Sequence, residues 1–491
     1  MPGPAIAIPS RRPPAKAGFW LALSVGFAAS LGLMVAASRG ALSLDEVLSL
    51  ETALGARNWF SLLCQPTDDN NHLLNAVCLR LLGWQPHLIV YRIPAILFGG
   101  YTLLALAFTA RRWGRAAILW TVYLAGLSFP IILYCSEARG YAAAMFFAVL
   151  SFELLQCCWE QPTWGRIILF WVVLCLGFAA HFTFANVLVA LGGWAVIRER
   201  NRGTPVRAAV LRLARLFAPP AVFVAVVYLV IIRHLAILGG PIYTEREVIG
   251  AAAAHALGLP DTAHLRVVAV AGCALLAICG LWHLVRRNRP EWTYFALVLF
   301  FAPLLMTLLT PSKYLTFRYF MVCFPFFYLL LAFLFVEWCR RPGIFKLLPV
   351  ALILCMTTGH LLKLQKLVDL GRGNFLQALN DMAGANRTPL IRVSSDSDFK
   401  NGKLLHFYGL LLPAKKVEYI PHDQITAERP DWLVVTYLPD YPSLLAGNSL
   451  RYDLFSYYPF CGLSGLSWSV YRLANESQTN NHQFPAAPRS R

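Results

Sequence analysis

The stretch GFWLALSVGFAASLGLMVAASRGALSLDEVLSLE (residues 18–51) opens with an apolar run and closes on an acidic pair, Asp45-Glu46. The run, 18–37, has the length that crosses a bilayer, which takes about 17–25 apolar residues. It is too long for a typical signal-peptide core, so Arg39 and the AAS segment near Ala36 are read as flanking an uncleaved anchor. A carboxylate is costly inside hydrocarbon. Asp45 and Glu46 lie a few residues past the span, at the water boundary, and Glu51, Asp68, Asp69 and His72 follow in the same loop. That placement points to chemistry at the membrane surface on a lipid-borne substrate.

Further apolar runs occupy 88–109, 116–134, 141–159, 166–180, 182–197, 217–238, 266–285, 292–310, 319–338 and 347–364. With the first, they predict about eleven spans, although 166–197 also reads as one long helix kinked at His181. The chain is 58% hydrophobic and 14% charged, with a mean hydropathy of +0.56. A soluble domain carries about 25% charged residues, so lipid must solvate most of this length.

The net charge of +18 could suggest nucleic acid, but its arginines cluster between spans, and no nucleic-acid-binding motif accompanies them. These clusters are topology determinants. Arg11, Arg12 and Lys16 precede the first span, and Arg111, Arg112 and Arg115 follow the second. Arg198 to Arg215, Arg286 to Arg289, and Arg340 to Lys346 follow the sixth, eighth and tenth. All share one face, which is therefore cytoplasmic, with the N-terminus inside and the C-terminus outside. Most of the twelve cysteines lie in apolar runs and no C-x-x-C pair occurs, which argues against a structural zinc site. Cys64 and Cys78 share an outer loop and could pair in an oxidising compartment.

Beyond residue 365 the pattern shifts to short β-type runs at 389–393, 417–420, 431–435 and 468–473. The expected fold is therefore an all-α polytopic membrane protein with a small C-terminal extracytoplasmic α/β domain. Its parts are a cytoplasmic tail at 1–17, a membrane domain at 18–364, an α/β domain at 365–474 and a disordered tail at 475–491. The first outer loop, 38–87, carries two amphipathic segments, one with Leu44, Val47, Leu48, Leu50, Leu54 and Trp59 and one running from His72 to Leu82. Both suit the membrane interface.

Polar residues also gather at the outer span ends: Arg92 at the second, Glu137, Arg139 and Tyr141 between the third and fourth, and Lys313, Tyr314, Arg318 and Tyr319 at the tenth. Each alone could be a snorkelling side chain. Together, beside carboxylates on the same face, they suit an anionic head group with a base nearby.

These residues resemble the motifs of the polytopic GT-C glycosyltransferases, in particular the family 39/PMT-like group of aminoarabinose and protein mannosyltransferases. Asp45-Glu46 is similar to the first-loop acidic motif. The segment Asp69 to Asn75 around His72 resembles one that many members write with His-Pro, although the proline is absent here. Arg92-Ile93-Pro94 resembles the R-x-P start of the second span. Ser136-Glu137-Ala138-Arg139-Gly140-Tyr141 resembles the S-x-E-A-R-x-Y turn and is the most specific match, and Arg318-Tyr319 before Pro325 is similar to a later R-Y…P. The resemblance covers roughly 18–340.

It implies transfer of a sugar from a polyprenyl-phosphate donor to an acceptor hydroxyl or phosphate on the outer face of a bacterial inner membrane. The acceptor is a glycan, a lipid or a protein. Asp45 would be the base, Glu46 second to it, and Asp69 a helper. A divalent cation (Mg2+ or Mn2+) held by Asp45 and Asp69 stays open. Arg92, Arg139, Lys313 and Arg318 would bind the donor phosphate, while His72, Glu137, Tyr141 and Tyr319 would bind substrate. No nucleic acid takes part. Two other classes fit a polytopic chain. A transporter or flippase would place charge within its spans, where Glu153 is the main exception to apolar composition. A non-catalytic envelope scaffold would use the outer domain alone.

Overall fold

The computed structural model describes residues 15–65, 72–235, 242–311, 314–413, 415–436, 441–446 and 450–474. The chain is a multi-pass, mostly helical membrane protein with a small C-terminal β-sheet domain. Among the described residues, nine helices are long and apolar enough to cross a bilayer. A bent pair, Arg115–Gly126 and Phe129–Cys135, meets at 66° and supplies a tenth crossing if it counts as one span. The remaining apolar run is the 17-residue helix Trp164–Ala180. His181 ends that helix in extended backbone (φ −161°, ψ 133°) and caps the next turn, so 166–197 is two helices rather than one kinked rod.

The chain divides into two compact units. The helical unit comprises Met1–Ala36, Thr67–Leu74 and Ile93–Lys363. Its innermost helices are Tyr141–Glu160 and Phe317–Cys339, with 83% and 89% of their apolar windows buried, against 17% for Ala17–Ala37. The aromatic stack of Phe152, Trp194, Tyr294 and Phe326 fills its centre. Glu153 is ion-paired to Arg112 at 2.5 Å, and Glu337 accepts from Arg287 and Arg340. These acids are thus partnered at the helix ends that carry the basic clusters.

The other unit comprises Ala37–Pro66, Asn75–Arg92 and Leu364–Arg491. Six strands form its sheet: β1 (Leu390–Ser395), β2 (Lys416–Tyr419), β3 (Trp432–Val435), β4 (Ser443–Ala446), β5 (Leu450–Tyr458) and β6 (Trp468–Leu473). The order is β2-β1-β3-β6-β5-β4, with β1 parallel to both neighbours and the remaining pairs antiparallel. Ile425, Leu433, Leu450, Tyr452 and Tyr471 form one core cluster of this unit. The helix Lys400–Gly409 joins the first-loop segment to the sheet: Tyr408 Oη donates to the Leu42 carbonyl at 2.9 Å and Lys403 pairs with Glu51 at 2.9 Å. Burial pushes the Tyr408 phenol up, so it stays a donor. Arg372 Nη1 donates to the Ala37 carbonyl at 2.8 Å. Cys64 and Cys78 are both free thiols.

Candidate functional site

Ser43 begins the helix Leu44–Gly55, and Asp45 and Glu46 occupy its first turn. Acidic groups are favoured there by the exposed N–H groups of a helix start. The Ser43 N–H donates to Glu46 Oε2 at 2.8 Å. Asp45 is half-buried.

Glu46 is fully buried, as is Arg92, and the two form a bidentate pair: Nε to Oε1 and Nη2 to Oε2, both at 2.7 Å. Arg92 also donates to the carbonyls of Ser38 (2.8 Å), Gly40 (3.4 Å) and Ala41 (2.8 Å). Gly40 lets the chain make this turn at φ +86°, a backbone region that side chains disfavour. A guanidinium has five N–H donors, and all five are engaged here. The expectation that Arg92 holds donor phosphate therefore gives way to a structural role, because no N–H remains to offer. Glu46 is equally committed: its oxygens accept from Arg92 and from the Ser43 N–H, so it is poorly placed as a second base.

In the helical unit, the turn Ser136 to Gly140 brings several expected residues together. The Arg139 N–H donates to the Glu137 carbonyl at 2.7 Å, and Ser136 Oγ donates to the Leu133 carbonyl at 2.8 Å. Glu137 is buried, as are Arg139 and Tyr141. Gly140 is obligatory, since a Cβ there would lie 1.8 Å from the Ala180 carbonyl oxygen and 3.1 Å from His72 Cβ. The close approach brings His181 to the turn.

The His181 ring lies 4.5 Å from His72, stacked at 26°, and 4.4 Å from Tyr141. Arg139 Nη2 donates to His72 Nε2 at 3.3 Å, and its guanidinium lies over the Tyr141 ring at 5.0 Å. Tyr319 is 6.5 Å from His181, ring to ring. Burial first, then the neighbouring His181 and the charges of Arg139 and Arg318, holds His72 well below the usual histidine range. His181 is held down by burial, then Arg139 and Arg318. Both imidazoles are therefore neutral at pH 7, beside arginines that keep their charge.

His72, Glu137, Arg139, Tyr141, Arg318 and Tyr319 thus fall in one neighbourhood of the helical unit. Asp45, Glu46 and Arg92 belong to the other unit. Asp69 and Lys313 lie outside the described residues. His181 was not among the expected site residues. Its signal in the sequence is a lone imidazole interrupting an apolar run, and nothing there shows which rings it meets.

Fixed cations, neutral imidazoles and aromatic faces suit an anionic oxygen next to an apolar or sugar-like body. Among the described residues no group of three or more His, Cys, Asp or Glu side chains could hold a metal ion. Asp69, one of the two carboxylates expected to hold a divalent cation, lies outside the described residues.

No protein-family model matches the chain, and no curated protein matches it. Among solved structures, ArnT from Cupriavidus metallidurans in the apo state is similar at 11% identity and a TM-score of 0.52, over 95% of this chain and 100% of that one. ArnT bound to undecaprenyl phosphate is similar at 13% identity and a TM-score of 0.50, over 93% and 98%. The arabinosyltransferase EmbB from Mycobacterium smegmatis is matched at 16% identity and a TM-score of 0.44 over 68% of this chain, which spans only 32% of EmbB. The chain has the fold of ArnT.

Proposed function

We propose that this protein is a membrane glycosyltransferase that takes a sugar from a polyprenyl-phosphate donor and gives it to an acceptor hydroxyl or phosphate on the outer face of the membrane. The observation that carries the reading is the cluster of Arg139, His72, Tyr141 and His181 under the field of Arg318. It sits in a fold whose solved neighbour ArnT binds undecaprenyl phosphate. The basic clusters between spans support an N-terminus in the cytoplasm and chemistry on the opposite face, in a bacterial inner membrane. No nucleotide-sugar pool is expected there, so a lipid carrier must deliver the activated sugar.

In the reaction, the acceptor oxygen attacks the anomeric carbon, the bond from that carbon to the phosphate oxygen breaks, and polyprenyl phosphate departs. The acceptor hydroxyl's proton goes to Asp45, the carboxylate assigned as base. Arg139 and Arg318, with Lys313, neutralise the phosphate as it gains charge. Glu137, Tyr141 and Tyr319 position the sugar. A single in-line displacement inverts the anomeric centre; NMR showing the donor's anomer retained in the product rejects that.

Mass spectrometry of envelope lipids and glycans from cells with and without the gene tests the whole reading. A sugar missing from one lipid, glycan or protein supports it and identifies donor and acceptor. Unchanged envelope chemistry, with Arg139→Ala binding polyprenyl phosphate as the wild type does, overturns it. Glu153, the carboxylate a transport path would use, is ion-paired to Arg112, which weighs against a transporter.

A further inference from the structure

Three hydrogen-bonding facts fix how His181 is presented. The Thr183 N–H donates to His181 Nδ1 at 3.1 Å, and Thr183 Oγ1 lies 2.8 Å from the same atom. A backbone N–H can only donate, so Nδ1 carries the lone pair. In the neutral ring the proton is then on Nε2. His181 is only 6% exposed, yet Nε2 makes no hydrogen bond among the described residues. Nε2 is not one of the buried side-chain atoms left without a partner, so the fixed N–H keeps an opening through which a ligand from outside the chain can reach it.

The ring cannot turn to find another acceptor. His72 stacks against it at 4.5 Å and Tyr141 lies at 4.4 Å. Its backbone is held to the Arg139 turn by the contact that only Gly140 permits. The charges around it choose the ligand. Arg139 and Arg318 both bear on the imidazole, which disfavours a cation and leaves an anionic oxygen as the acceptor.

We propose that His181 is a phosphate-binding residue of this site, its Nε2–H donating to an anionic oxygen of the lipid phosphate alongside Arg139. This rests on the function proposed above and adds a residue to its anion cradle. The shared chemistry is an anionic phosphate oxygen, from a lipid head group or from free phosphate. The neutral ring supplies direction without a third full positive charge. The arginines supply attraction.

The test uses the purified full-length protein in lipid nanodiscs and four variants: His181→Asn, His181→Gln, His181→Phe and Arg139→Ala. Glutamine can place an N–H near the Nε2 position, whereas asparagine reaches only the Nδ1 position and phenylalanine keeps the stack alone. Binding of polyprenyl phosphate, of the matching polyprenol and of inorganic phosphate is measured, with melting temperature as the check on folding.

Losing a hydrogen bond to a charged oxygen predicts polyprenyl-phosphate affinity about 10–100-fold weaker for His181→Asn and His181→Phe. His181→Gln should recover most of the loss, and polyprenol binding should not change. Wild-type affinity in His181→Asn and His181→Phe overturns the assignment, as does a loss in His181→Gln equal to that in His181→Asn. If Arg139→Ala weakens binding while the His181 variants do not, only this inference fails. If none of the four does, the phosphate reading of the site fails with it. Inorganic phosphate that competes with equal affinity overturns the lipid part, and failure to compete at millimolar concentration supports it.

Discussion

Replacing Arg92 should unfold the unit it braces rather than weaken its chemistry. The pair with Glu46 is completely buried, with two contacts at 2.7 Å and three further carbonyl contacts from the 38–41 turn. Arg92→Met leaves the Glu46 carboxylate buried without its guanidinium, and takes a donor from each of the three carbonyls as well. Breaking a buried pair from one side costs about 3–5 kcal/mol, because the remaining charge is uncompensated. For a unit of this size, about 2–4 °C per kcal/mol translates that into a drop of roughly 6–20 °C in Tm.

Glu46→Gln with Arg92→Met should be less damaging than the sum of the two single changes, since no lone charge remains. The assay is thermal unfolding in nanodiscs at fixed scan rate, paired with polyprenyl-phosphate affinity well below the transition. The reasoning is refuted if Arg92→Met melts within about 2 °C of wild type, or if it keeps its Tm and loses affinity tenfold. The second outcome would return Arg92 to the phosphate site.

Asp45→Asn should keep its Tm and lose about 10²–10⁴-fold in kcat, as removal of a general base does; a turnover assay with purified donor and acceptor measures it. Gly140→Ala places a methyl against the Ala180 carbonyl, 1.8 Å away before relaxation. The turn must move, at about 1–3 kcal/mol, and polyprenyl-phosphate affinity should fall as Arg139 and His181 separate. His255 lies in the helix Glu245–Ala256, with Lys363 Nζ at 3.0 Å from Nδ1. Burial first, then Lys363, pushes its pKa down to about 3. The unfolded chain protonates near pH 6.5 and the folded one does not, so the stability His255 contributes is full above 6.5 and is lost as pH falls toward 3. Between about pH 7.5 and 5 that loss is about 2 kcal/mol. His255→Gln should flatten the Tm-against-pH profile in that window, and an unchanged slope counts against the assignment.

The spans were legible because hydrocarbon imposes a length and an apolar composition that no tertiary contact can override. The break at His181 was not, since a single polar residue within 166–197 is compatible with a kink or an end until its backbone is seen. Four strands could be read from their β-branched runs. β4 and β5 were missed: Arg451, Asp453 and Ser456 interrupt β5, and its pairing with β6 is bulged between Leu454 and Ser456. At the candidate site, the Ser136 to Tyr141 turn was readable from residue type and position. The roles of Arg92 and Glu46 were not, because an arginine with its five donors engaged looks in sequence like one with its donors free. Sidedness along a chain says which groups share a face, whereas only the folded structure says which are already spoken for.

The hydrogen bonds from Tyr408 to Leu42 and from Arg372 to Ala37 join residues 366 and 335 positions apart. A ribosome adding about 5–20 residues each second needs roughly 20–70 s to make the intervening chain. Throughout that interval the segment after the first membrane crossing has emerged without the C-terminal half of its own fold. It must wait, accessible to proteases and chaperones, while every later span is inserted. Truncations near the C-terminus should therefore be felt first at the opposite end of the gene product, as early cleavage between residues 38 and 65, and pulse-chase proteolysis would register it there.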